Sequence, residues 1–280
     1  MVVAGTGPLL LAVAAALAKG GARIVGLAEQ APMPRLAAFG AGLWRAPRKL
    51  AEALGYGARL IGIPYRAGAW VRQVEEAGGA LQVSLTDGRR DWAWDGDVLA
   101  CGYGLVPNLE LPRLLGCEAT ADRLVLGAAQ ETSVVGVFAA GELGGVAGVD
   151  HALVTGTIAG LAAAGRPVPQ TLARRRDAEV AFGARLARAF VLRGELRSLA
   201  RPDTLVCRCE DVAHGRLAAA GSLREAKLAT RAGMGPCQGR VCGPALSFLR
   251  GWPPDTIRPP LLPTPLAVIE DGWGDDGGRA

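Results

Sequence analysis

The stretch V-V-A-G-T-G-P-L-L-L-A-V-A-A-A-L-A-K-G-G-A-R-I-V-G-L-A-E-Q, residues 2–30, decides the fold. It predicts a strand, a glycine turn, a helix, a second glycine turn and a second strand. In such a unit Gly5 permits the tight turn and Gly7 lets the backbone approach a phosphate, because helix N-terminal amides and the helix dipole favour an anion. We therefore predict an α/β fold that begins with a Rossmann-like three-layer domain for FAD or NAD(P).

The candidate nucleotide-binding residues of this unit are Gly5, Gly7 and Glu29. Glu29 closes the second strand at a distance suited to ribose hydroxyls. Leu10 replaces the third glycine of the usual motif, and a lone G-x-G is a weak signal. Two interpretations stay open: a site for an adenine or nicotinamide nucleotide, and a unit that keeps the fold and binds nothing.

Residues 31–70 show weaker periodicity. Apolar residues recur at helical spacing over 43–55, and we expect Gly55 and Gly57 to end that helix. A short strand is predicted at Arg59–Ile63.

The next stretch predicts antiparallel strands. A segment at Trp70–Glu76 precedes Leu81–Leu85, where apolar and polar residues alternate, and Asp87-Gly88 then turns the chain into Trp92–Trp94. Alternation on both sides of Asp-Gly indicates a β-hairpin. A buried strand at Asp97–Cys101 follows, so we interpret Cys101, and by the same default Cys117, as core residues and not as redox centres.

A second glycine-rich signal lies at 131–151. We predict an apolar strand over Val134–Ala140 that ends at Gly141-Glu142, where a carboxylate can accept hydrogen bonds from hydroxyls. The run G-G-V-A-G-V-D-H at 144–151 then leads into a helix whose N-terminus can face an anion. His151 is interpreted as a packing or capping residue without a catalytic role.

Four of the six cysteines form a separate signal. They lie in V-C-R-C-E-D-V at 206–212 and in G-M-G-P-C-Q-G-R-V-C-G-P at 233–244. Four thiolates can hold a structural zinc ion or an iron–sulfur cluster. In an extended strand the two cysteines of C-x-C point to opposite faces, so convergence requires a tight turn. The surrounding glycines, together with Arg208 and Arg240, favour 2Fe-2S over zinc, and a disulfide framework is disfavoured because the rest of the chain looks intracellular.

The cysteine segment is similar to the 2Fe-2S domain of the bacterioferritin-associated ferredoxin type, with a shorter stretch between its two cysteine pairs. With D-G-D-V-L-A-C-G-Y-G-L-V-P-N at 95–108 and A-A-G-E at 139–142, the chain resembles the flavoprotein α subunits of opine oxidase, hydrogen cyanide synthase and heteromeric proline or hydroxyproline dehydrogenases. These have the pyridine-nucleotide-disulfide oxidoreductase fold.

The resemblance implies a set of sites and partners. It makes the chain an FAD-dependent, electron-transferring subunit. An amino-acid-oxidase-like β subunit would dehydrogenate an amine or amino acid, and a further implied partner is a small ferredoxin-like subunit. The resemblance implies no catalytic residue in this chain. The implied cluster ligands are Cys207, Cys209, Cys237 and Cys242, and the implied FAD contacts are Ala140, Gly141, Glu142, Gly148 and Val149.

In the resembled family the NAD-like domain is inserted between two halves of the FAD domain. This chain opens at the inserted domain. We therefore expect the adenosine-binding half of the FAD site to lie outside this polypeptide, through truncation or a split gene.

The predicted organisation has five parts. A helix from Thr171 to about Leu199 forms the connector, and the proline-rich tail is expected to be extended, with Glu270–Ala280 disordered. The parts are a NAD(P)-like domain (1–108), the C-terminal part of the FAD domain (109–168), the connector (169–203), a small, mainly helical 2Fe-2S domain (204–252) and the tail (253–280).

Composition excludes several function classes. The net charge of +5 and the pI of 9.1 come without a basic stripe interleaved with aromatics, so nucleic acid is not an expected partner. The apolar run Leu9–Ala18 is too short to span a bilayer and has no signal-peptide flanks, so we predict a cytoplasmic protein. Two alternative functions stay open: an independent NAD(P)H-dependent reductase, and a metal-stabilised assembly subunit that is not an enzyme.

Overall fold

A computed structural model of the protein describes residues 1–272. Unit 1 comprises Met1–Leu105, Val146–Thr155 and Pro169–Leu199; unit 2 comprises Val106–Gly145, Gly156–Val168 and the described residues from Ala200 onward. The elements in chain order are β1 (Val2–Gly5), α1 (Pro8–Lys19), β2 (Gly26–Glu29), α2 (Met33–Ala41), α3 (Pro47–Arg59), β3 (Tyr65–Ala67), β4 (Trp70–Ala77), β5 (Ala80–Thr86), β6 (Asp91–Gly96), β7 (Leu99–Gly102), α4 (Glu110–Leu114), α5 (Val149–Ala163), α6 (Gln170–Ala189), β8 (Leu205–Cys207), β9 (Val212–Ala213), α7 (Leu223–Thr230), α8 (Cys242–Arg250) and α9 (Leu266–Gly272).

Unit 1 is built on a parallel sheet with the strand order β3-β2-β1-β7. All four residues of β1 are buried, and Val3 pairs with Leu27 of β2. Helix α1 begins at Pro8, where a missing N–H costs no hydrogen bond. Leu10, which replaces the motif glycine, is buried in the core under α1. The predicted strand–turn–helix–turn–strand opening is confirmed.

A second sheet in unit 1 is antiparallel, with the order β4-β5-β6. Val83 pairs with Trp94 across β5 and β6, and Leu85 with Trp92. Val83 and Leu85 are fully buried, as their alternation with polar residues predicts. The predicted hairpin is confirmed.

Three predictions in unit 1 were wrong about element boundaries. Helix α3 continues through Gly55 and Gly57 to Arg59, because an interior glycine costs a helix only about 1 kcal/mol. The strand predicted at Arg59–Ile63 is absent, and β3 lies at Tyr65–Ala67 instead. Helix α6 ends at Ala189 and not near Leu199, since the backbone beyond it finds tertiary hydrogen-bond partners.

The burial of Cys101 was also predicted wrongly. Strand β7 occupies an edge of the parallel sheet, and the Cys101 side chain is exposed. An edge strand has a neighbour on one side only, so a strand-like sequence does not guarantee a buried strand.

Unit 2 contains the remaining mispredicted strand. Residues 134–140 form no strand, and the isolated bridge between Glu131 and Phe138 is the pairing seen there. A strand needs a hydrogen-bonded neighbour along its length, whereas the backbone bonds that join this segment to Thr132 and Gln130 involve Val137 and Ala139 near its C-terminal end. Val135 is accordingly fully exposed.

The cysteine-containing part of unit 2 has its own apolar core, formed by the buried residues Val206, Cys207, Val212, Leu217, Ala226, Ala232, Cys242, Leu246 and Trp252. The predicted extended tail contains a helix, α9, while residues 273–280 of the tail lie outside the described residues. No helix within residues 1–272 combines the length and the apolar character needed to cross a bilayer.

Candidate functional site

The first cysteine pair lies on a tight turn between two short strands. β8 ends at Cys207, and β9 begins at Val212 and runs antiparallel to β8. Asp211 adopts a left-handed backbone with φ of 48°, which closes the turn. A turn and not a continuous strand therefore separates Cys207 from Cys209, as the sequence predicts.

The second cysteine pair lies on a loop between α7 and α8. Arg231 ends α7 in the left-handed conformation, and Cys242 is the first residue of α8. Gln238 and Gly239 also have positive φ angles, of 50° and 82°. A non-glycine residue at positive φ is uncommon and marks a loop whose path is fixed by its surroundings.

The thiols of these two loops meet as pairs. The Cys237 amide donates a hydrogen bond to the Cys209 sulfur, and the two thiols are themselves hydrogen-bond partners. The thiols of Cys242 and Cys207 are also hydrogen-bond partners. Cys207 and Cys242 are buried, whereas Cys209 is exposed. Within residues 1–272, no three or more His, Cys, Asp or Glu side chains converge on one point as ligands of a single metal ion.

The two pairs differ in their electrostatic environment. Burial raises the pKa of the Cys242 thiol to about 12, and the neighbouring Cys207 adds to the shift. The pKa of Cys237 is lowered, first by a hydrogen bond from the Val241 amide and further by those of Gly239 and Arg240, against the opposing effect of burial. Three backbone N–H groups thus converge on the Cys237 sulfur and favour its thiolate form.

Glycines pack directly against the cysteine side chains. A β-carbon on Gly235 would lie 2.2 Å from the Cys209 β-carbon, a distance that no side chain can tolerate. One on Gly233, whose φ is 84°, would lie 3.8 Å from the Cys242 sulfur. Gly235 is therefore required by the close approach of the two loops.

Two ion pairs flank the cysteines. Arg231 donates from Nε to a Glu210 carboxylate oxygen at 2.8 Å. Arg240 donates to Glu110 Oε2 from Nε at 2.7 Å, and its Nη2 lies 2.6 Å from the same oxygen. Arg208, which the sequence also places beside the cysteines, is exposed.

The glycine turn of unit 1 is satisfied by the protein's own carboxylate. Glu29 Oε2 accepts from the Gly7 amide, while Oε1 accepts from Thr6 Oγ1 and the Ala31 amide, each at 2.8 Å. Glu29 is 1% exposed, and burial raises its pKa against the effect of these hydrogen bonds. The Gly7 amide, which sequence reasoning assigned to a phosphate, therefore already donates to the Glu29 carboxyl group.

Sequence reasoning missed Gln30, which extends this network. Its Nε2 donates to Thr6 Oγ1 and to the Val191 carbonyl, and its Oε1 accepts from the Arg193 amide. Gln30 is fully buried. No sequence signal marks it, because its partners lie far along the chain.

The predicted FAD contacts fall in both units. In unit 2, Ala140 precedes a short 3-10 helix over Gly141–Gly144, and Gly141 has a φ of 74°. The Glu142 side chain is half-buried.

In unit 1, Gly148 has a φ of 92°, and the exposed Val149 opens helix α5. In the first turn of α5, Asp150 pairs with Lys49 and His151 is buried. The interpretation of His151 as a packing residue agrees with this burial.

Comparison with known proteins gives the following matches. The family model described as pyridine nucleotide-disulphide oxidoreductase matches residues 1–159. Hydrogen cyanide synthase subunit HcnB of Pseudomonas aeruginosa is 31% identical over 312 residues, covering 96% of this chain and 66% of that relative. An opine oxidase subunit of Rhizobium meliloti is 31% identical over 309 residues, covering 97% of this chain and 66% of that relative. The chain thus spans just under two thirds of the length of both relatives.

Among solved structures, a thioredoxin reductase of T. acidophilum has a TM-score of 0.43 and 19% identity, covering 58% of this chain and 50% of that chain. That TM-score is too low to support a conclusion.

Proposed function

Since the chain belongs to the pyridine nucleotide-disulphide oxidoreductase family, we propose that it is the flavoprotein and iron–sulfur subunit of an FAD-dependent oxidoreductase complex. In this proposal a partner subunit of the amino-acid-oxidase type dehydrogenates an amine or amino acid, and this chain transfers the electrons. The naming of both relatives as subunits supports a partner. A small ferredoxin-like subunit is proposed as a further partner.

The observation that carries the proposal is the pairing of the four thiols. A structural zinc ion needs all four ligands around one point. A 2Fe-2S cluster needs two thiolates for each of its two irons. The thiols of Cys207 and Cys242 contact each other, as do those of Cys209 and Cys237, and these two pairs correspond to the two thiolates that each iron needs.

The surroundings of the sulfurs support the same choice. The donors at the Cys237 sulfur are backbone amides of Gly239, Arg240 and Val241. Hydrogen bonds to ligand sulfurs stabilise the more negative, reduced cluster and set its potential. Cys207, Cys209, Cys237 and Cys242 would hold the cluster, with Cys209 on the solvent side.

We propose FAD contacts within each unit taken by itself, namely Ala140, Gly141 and Glu142 in unit 2 and Gly148 and Val149 in unit 1. Positive φ angles at Gly141 and Gly148 allow the backbone to approach a ligand closely. Glu142 can accept hydrogen bonds from hydroxyls. When bound, FAD would accept the electron pair removed from the substrate, and the cluster would pass those electrons on singly to a one-electron acceptor.

We also propose a nucleotide site at Gly5, Gly7 and Glu29, with weaker support than the FAD contacts and the cluster. Any nucleotide phosphate must displace Glu29 from the Gly7 amide, and a ribose must reach a carboxylate that is 1% exposed. These contacts count against the alternative of an independent NAD(P)H-dependent reductase. We therefore expect NADH to leave a protein-bound flavin oxidised under anaerobic conditions, where a reductase would bleach its visible absorption.

The decisive experiment is metal and flavin analysis of the protein purified without oxygen, alone and co-expressed with its partner. We expect about two iron atoms and about two acid-labile sulfides per chain, with visible absorption bands. Zinc in place of iron would refute the cluster. Absence of flavin from both preparations would refute the flavoprotein assignment and favour a metal-stabilised assembly subunit.

A further inference from the structure

Arg240 contacts the cysteine site and a distant part of unit 2 at the same time. Its backbone amide donates to the Cys237 carbonyl oxygen at 3.0 Å and also lowers the pKa of the Cys237 thiol. Its guanidinium group binds Glu110, the first residue of α4, through Nε and Nη2. Nη2 also lies 3.4 Å from the Leu261 carbonyl, in the segment that follows α8.

The environment makes this ion pair stronger than an ordinary surface pair. The side chains of Arg240 and Glu110 are 29% and 22% exposed. The hydrogen bond from Arg240 Nε to Glu110 is charge-assisted, and partial burial of the pair reduces screening by solvent. In contrast, Arg231 in the neighbouring pair with Glu210 is 64% exposed.

We propose that Arg240 is a positioning residue of the cysteine site, with Glu110 as its anchor. The pair fixes the loop that aims three amides at Cys237, and it places a balanced pair of charges beside the metal-binding loop. This inference rests on the proposed function, because the charge effect is measured on the loaded cluster. Its structural part concerns the loop alone.

The charge effect has opposite signs for the two partners. Reduction adds one negative charge to a cluster, so the Arg240 cation favours the reduced form and the Glu110 anion opposes it. We expect Glu110→Gln to raise the reduction equilibrium constant and Arg240→Gln to lower it, each by up to about tenfold, or 59 mV for one electron. A role limited to loop rigidity predicts shifts in the same direction, since both substitutions break the same bridge.

The first test is a dithionite titration of the loaded wild type and variants, with iron content measured in parallel. The double variant Glu110→Gln/Arg240→Gln should return toward the wild-type potential, and Arg240→Lys should recover part of the shift because it keeps the charge. Arg231→Gln is the matched control, and its solvent-exposed charge should move the equilibrium by less than about threefold. Shifts of the same sign in Glu110→Gln and Arg240→Gln would overturn the charge effect.

The second test needs no cluster. In metal-free protein, Glu110→Gln should accelerate hydrogen exchange of the Gly239, Arg240 and Val241 amides by at least about tenfold, whereas Arg231→Gln should leave it unchanged. If neither the wild type nor any variant binds iron, the proposed function is wrong. The hydrogen-exchange rates of these amides then still test whether Glu110 anchors Arg240. Equal exchange in Glu110→Gln and wild type would overturn that role.

Discussion

The glycine turn of unit 1 and the cysteine loop of unit 2 both direct backbone amides at a side chain, but the two arrangements differ in what they can bind. In each, backbone amides beside glycines point at an ionisable side chain. At the turn this is the buried carboxyl group of Glu29, and at the loop it is the thiol of Cys237. The first arrangement is already satisfied within the protein. The second leaves four thiols in two pairs, one of them partly open to solvent at Cys209.

The comparison teaches that a motif and a site are distinct. The G-x-G motif forms its turn and its strand–helix–strand unit as the sequence predicts. However, the Gly7 amide of the motif already donates to the side chain of Glu29. The cysteine loops have no regular secondary structure over most of their length, yet they bring together the side chains with metal-binding chemistry. Substitutions that remove one arrangement and spare the other test this difference.

The largest effect is expected from Gly235→Ala. The new β-carbon would lie 2.2 Å from that of Cys209, so the two cysteine loops must separate. We expect iron binding to be lost and the free energy of unfolding to fall by about 3 kcal/mol, at the upper end of overpacking costs. Iron analysis and denaturant unfolding measure the two effects.

The matched control for this substitution is Gly243→Ala in α8. A β-carbon there meets nothing within 4 Å, and φ is not positive. The helix should gain up to about 1 kcal/mol, with unchanged iron content. Equal iron binding in Gly235→Ala and Gly243→Ala would show that the loops do not need their close approach.

A smaller loss is expected from Glu29→Ala at the glycine turn. The substitution leaves the Gly7 and Ala31 amides without an acceptor in a buried place, which should cost about 2 kcal/mol in the free energy of unfolding. Iron content should not change, because Glu29 belongs to unit 1. Loss of iron in this variant would contradict the separation of the two regions.

Sequence predicted the local part of this picture well. The β1–α1–β2 unit and the β5–β6 hairpin follow from periodicity and from glycine turns within about 30 residues, and both are confirmed. The turn between Cys207 and Cys209 follows from the same local argument. Leu10 shows the limit of motif matching, since it lacks the motif's glycine and fills the core instead.

Sequence failed where distant partners decide the outcome. Gln30 binds Val191, 161 positions away, and Arg240 binds Glu110, 130 positions away. Neither pairing has a local signal. The strand predicted at Val134–Ala140 failed for the same reason, because strand formation depends on a neighbour that the segment's own sequence does not reveal.

A difference within the cysteine site should be smaller again. Cys207 is buried in the apolar core of unit 2, so Cys207→Ser places a hydroxyl there and should cost about 1 kcal/mol even in metal-free protein. Cys209→Ser changes an exposed side chain and should leave the metal-free protein as stable as wild type. Both should lose iron, while Cys101→Ser should keep both iron and stability. Retention of iron in Cys209→Ser would remove that residue from the ligand set.

The smallest expected effect is the pH dependence that Glu29 contributes. Burial raises the pKa of Glu29 above its ordinary value of 4.5, so the unfolded chain loses this proton at lower pH than the folded protein does. Its stabilising contribution is therefore fully present below pH 4.5 and declines as the pH rises through the folded pKa. Glu29→Gln cannot titrate, so the difference in unfolding free energy, wild type minus variant, should decrease over that interval. A difference that increases with pH would mean that the hydrogen bonds from Gly7, Thr6 and Ala31 outweigh burial, and that the glycine turn, like the cysteine loop at Cys237, stabilises the anion that it holds.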